Sequence, residues 1–114
     1  MPLIRLETNV SISDTAKLLR ELSTEAGRCL GKDQQWVMAS LRHEADLLYG
    51  GTADPAALVD VGSIGLTASA CPEISRAICG LLERRLGIPP KRVYIRFQSW
   101  ERDLTGWNGT TFGA

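Results

Sequence analysis

The sequence contains a weak internal repeat with an offset of 56 residues, and this repeat restricts the folds open to a chain of 114 residues. The pair Leu30-Gly31 recurs as Leu86-Gly87. Two copies nearly exhaust the chain, which is too few for a solenoid. The repeat therefore predicts a single domain over residues 1–114, with pseudo-repeats at about 2–50 and 57–104. The other matched positions are Ser13 with Ser69, Leu18 with Ile74, Leu22 with Ile78, Ala26 with Leu82, and Val37 with Val93.

Each half contains one segment whose apolar residues recur at helical spacing. The first segment ends at Gly31 and the second at Gly87, and glycine is a common helix terminator. Ser11 and Ser13 are candidate N-caps of the first helix, and Ser11 with Asp14 has capping-box spacing. The second helix is predicted to begin between residues 69 and 72. The two stripes consist of Leu18, Leu19, Leu22, Ala26 and Leu30, and of Ile74, Ile78, Leu81, Leu82 and Leu86.

Segments of β-prone residues flank both helices, at 3–8, 36–41, 58–61 and 93–100. A β-α-β unit prefers a parallel, right-handed connection, so each half should contribute two parallel strands. Two such units predict an α+β fold of two layers, a four-stranded mixed sheet with two antiparallel helices on one face. The other face of the sheet stays open in a monomer, which favours a symmetric oligomer. Residues 106–112 are expected to add a short edge strand.

The composition argues against several classes of function. Thirteen basic and thirteen acidic side chains cancel, so no positive surplus supports binding to nucleic acid. No apolar run in the sequence is long enough for a signal peptide or for a membrane span, so we expect a cytoplasmic protein without a membrane partner. Cys29, Cys71 and Cys79 have no CxxC spacing and form no zinc pattern with His43. We therefore expect reduced thiols and no metal site.

The sequence contains no catalytic triad, phosphate loop or paired-carboxylate motif. The remaining chemical feature that stands out is the proline at position 2. Removal of Met1 would turn Pro2 into a secondary amine at the chain terminus. An α-amino group has a pKa of roughly 7.7–8.0, and a prolyl amine is more basic. Burial or a nearby cation would lower that pKa, and the neutral amine could then abstract a proton next to a carbonyl.

Several short motifs occur in a specific order around this proline. They are Met1-Pro2, Thr8-Asn9-Val10, Leu30-Gly31-Lys32, Gly50-Gly51, Ser63-Ile64-Gly65, Cys79-Gly80-Leu81-Leu82, Arg92-Val93-Tyr94-Ile95, Gly106-Trp107-Asn108 and Thr111-Phe112. By these motifs the chain resembles the macrophage migration inhibitory factor family of the tautomerase superfamily over nearly its whole length. The resemblance implies a homotrimer of β-α-β-β-α-β subunits whose sheets enclose a central channel. It also implies active sites between subunits that need no cofactor.

The resemblance assigns a role to individual residues. Pro2 matches the N-terminal proline that moves a proton between carbon and oxygen. Lys32 matches a lysine that binds the carboxylate or enol oxygen of the substrate and lowers the pKa of the proline. Ile64 matches a residue that contacts the substrate through its backbone amide and its side chain, and Tyr94 matches an aromatic residue from the neighbouring subunit. The expected pocket wall and rim consist of Trp107, Phe112 and Trp36.

Arg96 departs from the family pattern, because the mammalian cytokine has a substrate-binding asparagine at this position. A guanidinium group can clamp a carboxylate with two hydrogen bonds, but it can also crowd a pocket. Thr105 departs as well, since it replaces a more apolar residue of the wall.

The sequence is compatible with three functions. The first is a keto–enol tautomerase acting on a small aromatic α-keto acid such as phenylpyruvate. The alternative is a cytokine-like signalling or binding protein with weak or vestigial tautomerase activity. The third is an enzyme that uses the same proline, together with arginine, for hydration or dehalogenation of unsaturated acids.

Overall fold

The computed structural model describes all 114 residues and contains the predicted four-stranded mixed sheet. Its strands are β1 (Leu3–Thr8), β2 (Met38–Arg42), β3 (Ala57–Ile64) and β4 (Val93–Trp100), in the order β2-β1-β3-β4. Strand β1 is parallel to β2 and antiparallel to β3, and β3 is parallel to β4. Each half of the chain therefore contributes one parallel pair, and the antiparallel contact between β1 and β3 joins the halves.

The two helices begin and end at positions related by the same 56-residue offset as the sequence repeat. Helix α1 spans Thr15–Leu30 and helix α2 spans Cys71–Leu86, so each boundary recurs 56 residues later. Each helix ends at a glycine in the left-handed region, Gly31 with φ 64° and Gly87 with φ 68°. Glycine adopts this conformation without the steric cost that a Cβ atom would add. Neither helix has the length and apolar character that crossing a bilayer requires.

The start of α1 differs from the sequence expectation. Asp14 is the N-cap, and its Oδ1 accepts the N–H of Lys17 at 3.0 Å. The hydroxyl of Ser11 instead donates to Oε1 of Glu44 at 2.7 Å, so the expected capping box does not form. Helix α2 has no side-chain cap, and Pro72 in its first turn removes one N–H that would need a partner.

Two strand boundaries also differ from expectation. Strand β2 begins at Met38 because Gln34–Trp36 form a 3₁₀ turn, which Asp33 caps by accepting the N–H of Gln35. Trp36 therefore precedes the strand in which it was expected. Strand β3 continues to Ile64, since its last three residues pair with residues 98–100 of β4.

The core lies between the two helices and one face of the sheet. Alternate strand residues point into it, with Ile4 and Leu6 from β1 and Val59 and Val61 from β3. Burial of one such side chain contributes about 1.5–3 kcal/mol to the free energy of folding. The helices supply the predicted stripes, of which Leu18, Leu22, Ala26, Ile74, Ile78, Leu81 and Leu82 are buried. The opposite face of the sheet is uncovered.

The C-terminal segment forms a small hairpin of its own. Strands β5 (Gly106–Trp107) and β6 (Thr110–Thr111) are antiparallel and do not join the main sheet, where an edge strand was expected. The turn consists of Asn108 and Gly109, with φ values of 54° and 78°. An Asn-Gly pair with two positive φ angles is typical of a tight hairpin turn. This turn positions the aromatic residues on either side of it.

Candidate functional site

Pro2 lies immediately before β1, and its side chain is fully buried. Its carbonyl oxygen accepts the N–H of Met38 at 3.0 Å, which holds the start of β1 against the start of β2. Leu3 is the register partner of Gly62 on β3. Continuing that register places Pro2 opposite Ser63 and the chain terminus opposite Ile64. The expected catalytic proline and Ile64 therefore lie at the same end of the sheet.

The terminal amine belongs to Met1 in this structure, and its pKa is lowered from the ordinary value. Partial desolvation is the main cause, followed by the positive charges of Lys32 and Arg102. Both effects disfavour the charged amine. Lys32 directly follows the left-handed Gly31, and its N–H donates to the carbonyl oxygen of Gly27 at 2.9 Å. The terminating turn of α1 therefore brings a cation near the start of the chain.

Three aromatic side chains form a cluster beside this end of the sheet. The ring centroids of Trp36 and Trp107 are 5.1 Å apart in an edge-to-face arrangement. The rings of Trp107 and Phe112 are stacked, with centroids 5.9 Å apart and an angle of 16° between the planes. Aromatic pairs favour such edge-to-face and offset-stacked contacts. The C-terminal hairpin and the 3₁₀ turn before β2 therefore bring together the three aromatic residues expected in the pocket wall and rim.

Arg102 belongs to this region and was not expected from the sequence. Its Nη2 donates to the carbonyl oxygen of Phe112 at 2.7 Å, so the guanidinium group holds the end of the hairpin. The same group lowers the pKa of the terminal amine. In the sequence Arg102 stands between Glu101 and Asp103, where an arginine is typical of an exposed turn. Only the folded hairpin reveals that this arginine lies near the N-terminus.

Tyr94 and Arg96 lie elsewhere in the chain. Their register partners on β3 are Leu58 and Asp60, which are six and four positions from Ile64. At about 3.3 Å per residue, these separations correspond to roughly 20 and 13 Å along the strand. A single chain therefore unites six of the eight expected site residues at one end of the sheet and leaves Tyr94 and Arg96 outside.

The two outlying residues have local partners. Tyr94 is 64% exposed, and its ring meets the edge of Tyr49 at a centroid distance of 5.1 Å. Arg96 donates from Nε to Oδ1 of Asp60 at 2.7 Å, and this carboxylate raises the pKa of the guanidinium group. Both side chains project from β4, an edge strand of the sheet, toward the open side.

A cavity of about 460 Å³ lies between the end of β4 and the hairpin. None of the eight expected site residues lines it, although Thr105 does. The lining residues are Gln98, Ser99, Trp100, Glu101, Leu104, Thr105 and Gly106. No group of three or more His, Cys, Asp or Glu side chains is arranged to hold a metal ion. The site at the chain terminus thus consists of an amine of lowered pKa, two cations and an aromatic wall.

The comparisons with known proteins agree on one family. The family model described as macrophage migration inhibitory factor matches residues 1–113. The macrophage migration inhibitory factor of Meriones unguiculatus is 35% identical over 114 residues, covering 98% of this chain and 99% of that protein. The homolog from Trichinella spiralis is also 35% identical, with coverage of 98% and 100%. The crystal structure of a homologue from Prochlorococcus marinus superposes with a TM-score of 0.92 at 41% identity, covering 97% of this chain and 99% of that one.

Proposed function

Because this chain belongs to the macrophage migration inhibitory factor family, we propose that it is a keto–enol tautomerase of phenylpyruvate-like α-keto acids. The observation that carries the proposal is the position of the fully buried Pro2 at the end of the sheet, where partial desolvation and the nearby Lys32 lower the pKa of the terminal amine. An amine that is neutral near pH 7 is matched to proton transfer at a carbon beside a carbonyl. Once Met1 is removed, the Pro2 nitrogen becomes the terminal amine and takes over this environment.

The proposed reaction moves one proton and needs no redox partner. The neutral Pro2 amine takes a proton from the carbon next to the keto group, and the C–H electron pair forms the C=C bond of an enolate. Lys32 stabilises the negative charge that develops on the enolate oxygen. The protonated amine then donates its proton to that oxygen, which yields the enol and restores neutral Pro2. The reverse sequence converts enol to keto acid.

Substrate binding is proposed to involve two copies of the chain in a homotrimer. Trp36, Trp107 and Phe112 pack against the aryl group, and Ile64 contacts the substrate at the end of β3. Tyr94 and Arg96 are too far from Pro2 in their own chain, so we assign them to the site of a neighbouring copy. Their exposure on an edge strand supports this assignment. The guanidinium group of Arg96 would bind the substrate carboxylate in that site.

The proposal is tested by following phenylpyruvate enol–keto conversion through ultraviolet absorbance, with intact mass used to confirm loss of Met1. We expect turnover by the Met1-free protein and none above background by the same chain with Met1 retained, whose Pro2 nitrogen is an amide. Pro2→Gly keeps a terminal amine but loses the ring geometry, and should lower kcat/KM about 10²–10⁴-fold. Equal turnover with and without Met1 would remove Pro2 from the mechanism.

The names of the relatives favour a second candidate, a cytokine-like signalling or binding protein with weak or vestigial tautomerase activity. In this case the Met1-free protein would convert phenylpyruvate weakly or not at all. It would still bind a partner protein, and Pro2→Gly would leave that binding unchanged. Measurement of turnover and partner binding on the same variant separates the two functions.

A further inference from the structure

A side-chain contact attaches the 3₁₀ turn that follows α1 back to the helix. The hydroxyl of Ser23 on α1 donates to Oε1 of Gln34 at 2.7 Å. In the other direction, Nε2 of Gln34 donates to the carbonyl oxygen of Ser23 at 2.9 Å. Because both ends of the planar amide bind one residue, the contact fixes the orientation of the amide as well as its distance from the helix.

Gly27 of α1 leaves the space that this contact needs. A Cβ atom at position 27 would overlap Nε2 of Gln34 and would lie 2.9 Å from the carbonyl oxygen of Lys32. The carbonyl oxygen of Gly27 also accepts the N–H of Lys32 at 2.9 Å. The side chain of Gln34 and the backbone of Lys32 therefore pack against the same buried glycine.

The position of the Lys32 charge depends on this backbone. Lys32 is exposed, and its ammonium group has no ion pair that would hold it in place. Only Asp33 separates it from Gln34, so the contact of Gln34 with α1 restricts the backbone that carries the ammonium group. After partial desolvation, this ammonium group is the next cause of the lowered pKa of the terminal amine.

We infer that Gln34 is a positioning residue of the candidate active site, because its two hydrogen bonds with Ser23 hold the segment that places Lys32 near the chain terminus. Gln34 acts through Lys32 and is not itself a catalytic residue. The inference deepens the proposed tautomerase function and rests on it for the role of Lys32 in the reaction. The placement of the cation, however, can be measured without turnover.

The test measures the pKa of the Pro2 amine by NMR, in Met1-free protein labelled with ¹³C-proline. A nearby positive charge lowers the pKa of an amine, so Lys32→Gln should raise it. Gln34→Ala retains the lysine but frees its segment from α1, and should raise the pKa of Pro2 by about half as much. Gln35→Ala is the matched control, because Gln35 is exposed and its side chain makes no hydrogen bond, and it should leave this pKa unchanged.

Double variants show whether Gln34 acts through Lys32. When Lys32→Gln is already present, Gln34→Ala should cause no further change in the pKa of Pro2, whereas a general loosening of the fold would act in both backgrounds. The effects of Gln34→Ala and Arg102→Gln should add, because Arg102 is held by the C-terminal hairpin. Ser23→Ala removes only one of the two hydrogen bonds, and should raise the pKa less than Gln34→Ala does.

Three results would overturn the inference. They are an unchanged pKa of Pro2 in Gln34→Ala, an equal rise in the Gln35→Ala control, and a rise from Gln34→Ala that persists in the Lys32→Gln background. The titration uses no substrate, so a lack of phenylpyruvate turnover would contradict the proposed tautomerase and leave these results unaffected. Where turnover is present, Gln34→Ala should lower kcat/KM about two- to fivefold at a pH below the pKa of Pro2, since less of the amine is neutral.

Discussion

The N-terminal amine is influenced by two cations that reach it by different routes. Lys32 is positioned by the turn that ends α1, and Arg102 is positioned by its hydrogen bond to the carbonyl oxygen of Phe112. Lys32 was anticipated because it belongs to a short sequence motif with Leu30 and Gly31. Arg102 was not, because its position depends on how a hairpin folds back. Local motifs in the sequence therefore predicted only part of the electrostatics of the site.

Arg102→Gln tests this second cation through the pH dependence of phenylpyruvate conversion. A positive charge beside the amine disfavours the protonated form, so its removal should raise the pKa of Pro2. The base must be neutral to act, and activity is lost as pH falls through that pKa. The acid limb of kcat/KM should therefore move to higher pH in the variant. Arg84→Gln on the exposed surface of α2 is the control, and an unmoved limb in Arg102→Gln would contradict the assignment.

Leu22 tests the contribution of one core side chain to the stability of the fold. It is 0% exposed between the helices and the sheet, so Leu22→Ala leaves a cavity as well as losing apolar burial. We expect the free energy of unfolding to fall by about 2–5 kcal/mol, measured by urea denaturation. Leu48→Ala removes the same atoms from a side chain that is 70% exposed, and should change the free energy of unfolding by less than about 0.5 kcal/mol. Equal decreases in the free energy of unfolding for the two variants would show that burial of the side chain does not determine the loss of stability.

At the scale of elements, the N-terminus of α1 depends on one carboxylate. Asp14→Ala removes the acceptor for the N–H of Lys17 and should lower the free energy of unfolding by about 1 kcal/mol. Ser13→Ala is the matched control, because Ser13 is exposed and its hydroxyl makes no hydrogen bond. Thermal or urea unfolding monitored by circular dichroism measures both variants. A larger loss with Ser13→Ala would reverse the assignment of the cap.

The elements differ in how far the sequence alone predicts them. Both helix ends were predictable, because Gly31 and Gly87 act locally and recur at the same offset. The cap was not, since the hydroxyl of Ser11 bonds to Glu44, which is 33 residues away. The β-prone segment of the sequence ends at residue 61, but pairing with Gln98 keeps Gly62 in strand β3. Long-range pairing therefore decides the boundaries that local preference leaves ambiguous.

The candidate site also combines residues that the local sequence predicts with residues whose place depends on long-range geometry. Pro2, Lys32 and Ile64 could be assigned from motifs, and the structure places them at one end of the sheet. Tyr94 belongs to an equally clear motif and Arg96 departs from the family pattern two residues later, but both lie far from that end within the chain. Sequence spacing carries no information about which copy of a chain supplies a residue. That part of the site needs the geometry of an assembly.

At the scale of the whole molecule, the intersubunit assignment of Tyr94 can be tested by mixing two inactive variants. Pro2→Gly and Tyr94→Ala chains are unfolded, combined and refolded so that mixed trimers form. A site is intact when Pro2 comes from one variant and Tyr94 from the other, which random mixing provides in roughly one site in four. We expect phenylpyruvate turnover to recover to about that fraction. No recovery, or a monomer mass in gel filtration, would contradict a site shared between copies.

The first and last segments of this chain are neighbours, and this affects the order of events during synthesis. The amine at the start of β1 lies near Arg102, which holds the carbonyl oxygen of Phe112. The first residues leave the ribosome long before the C-terminal hairpin does. An aminopeptidase can therefore reach Met1 while the chain is still growing, before the hairpin folds beside it. Removal of Met1, which the proposed mechanism requires, would then precede folding of the hairpin beside the amine.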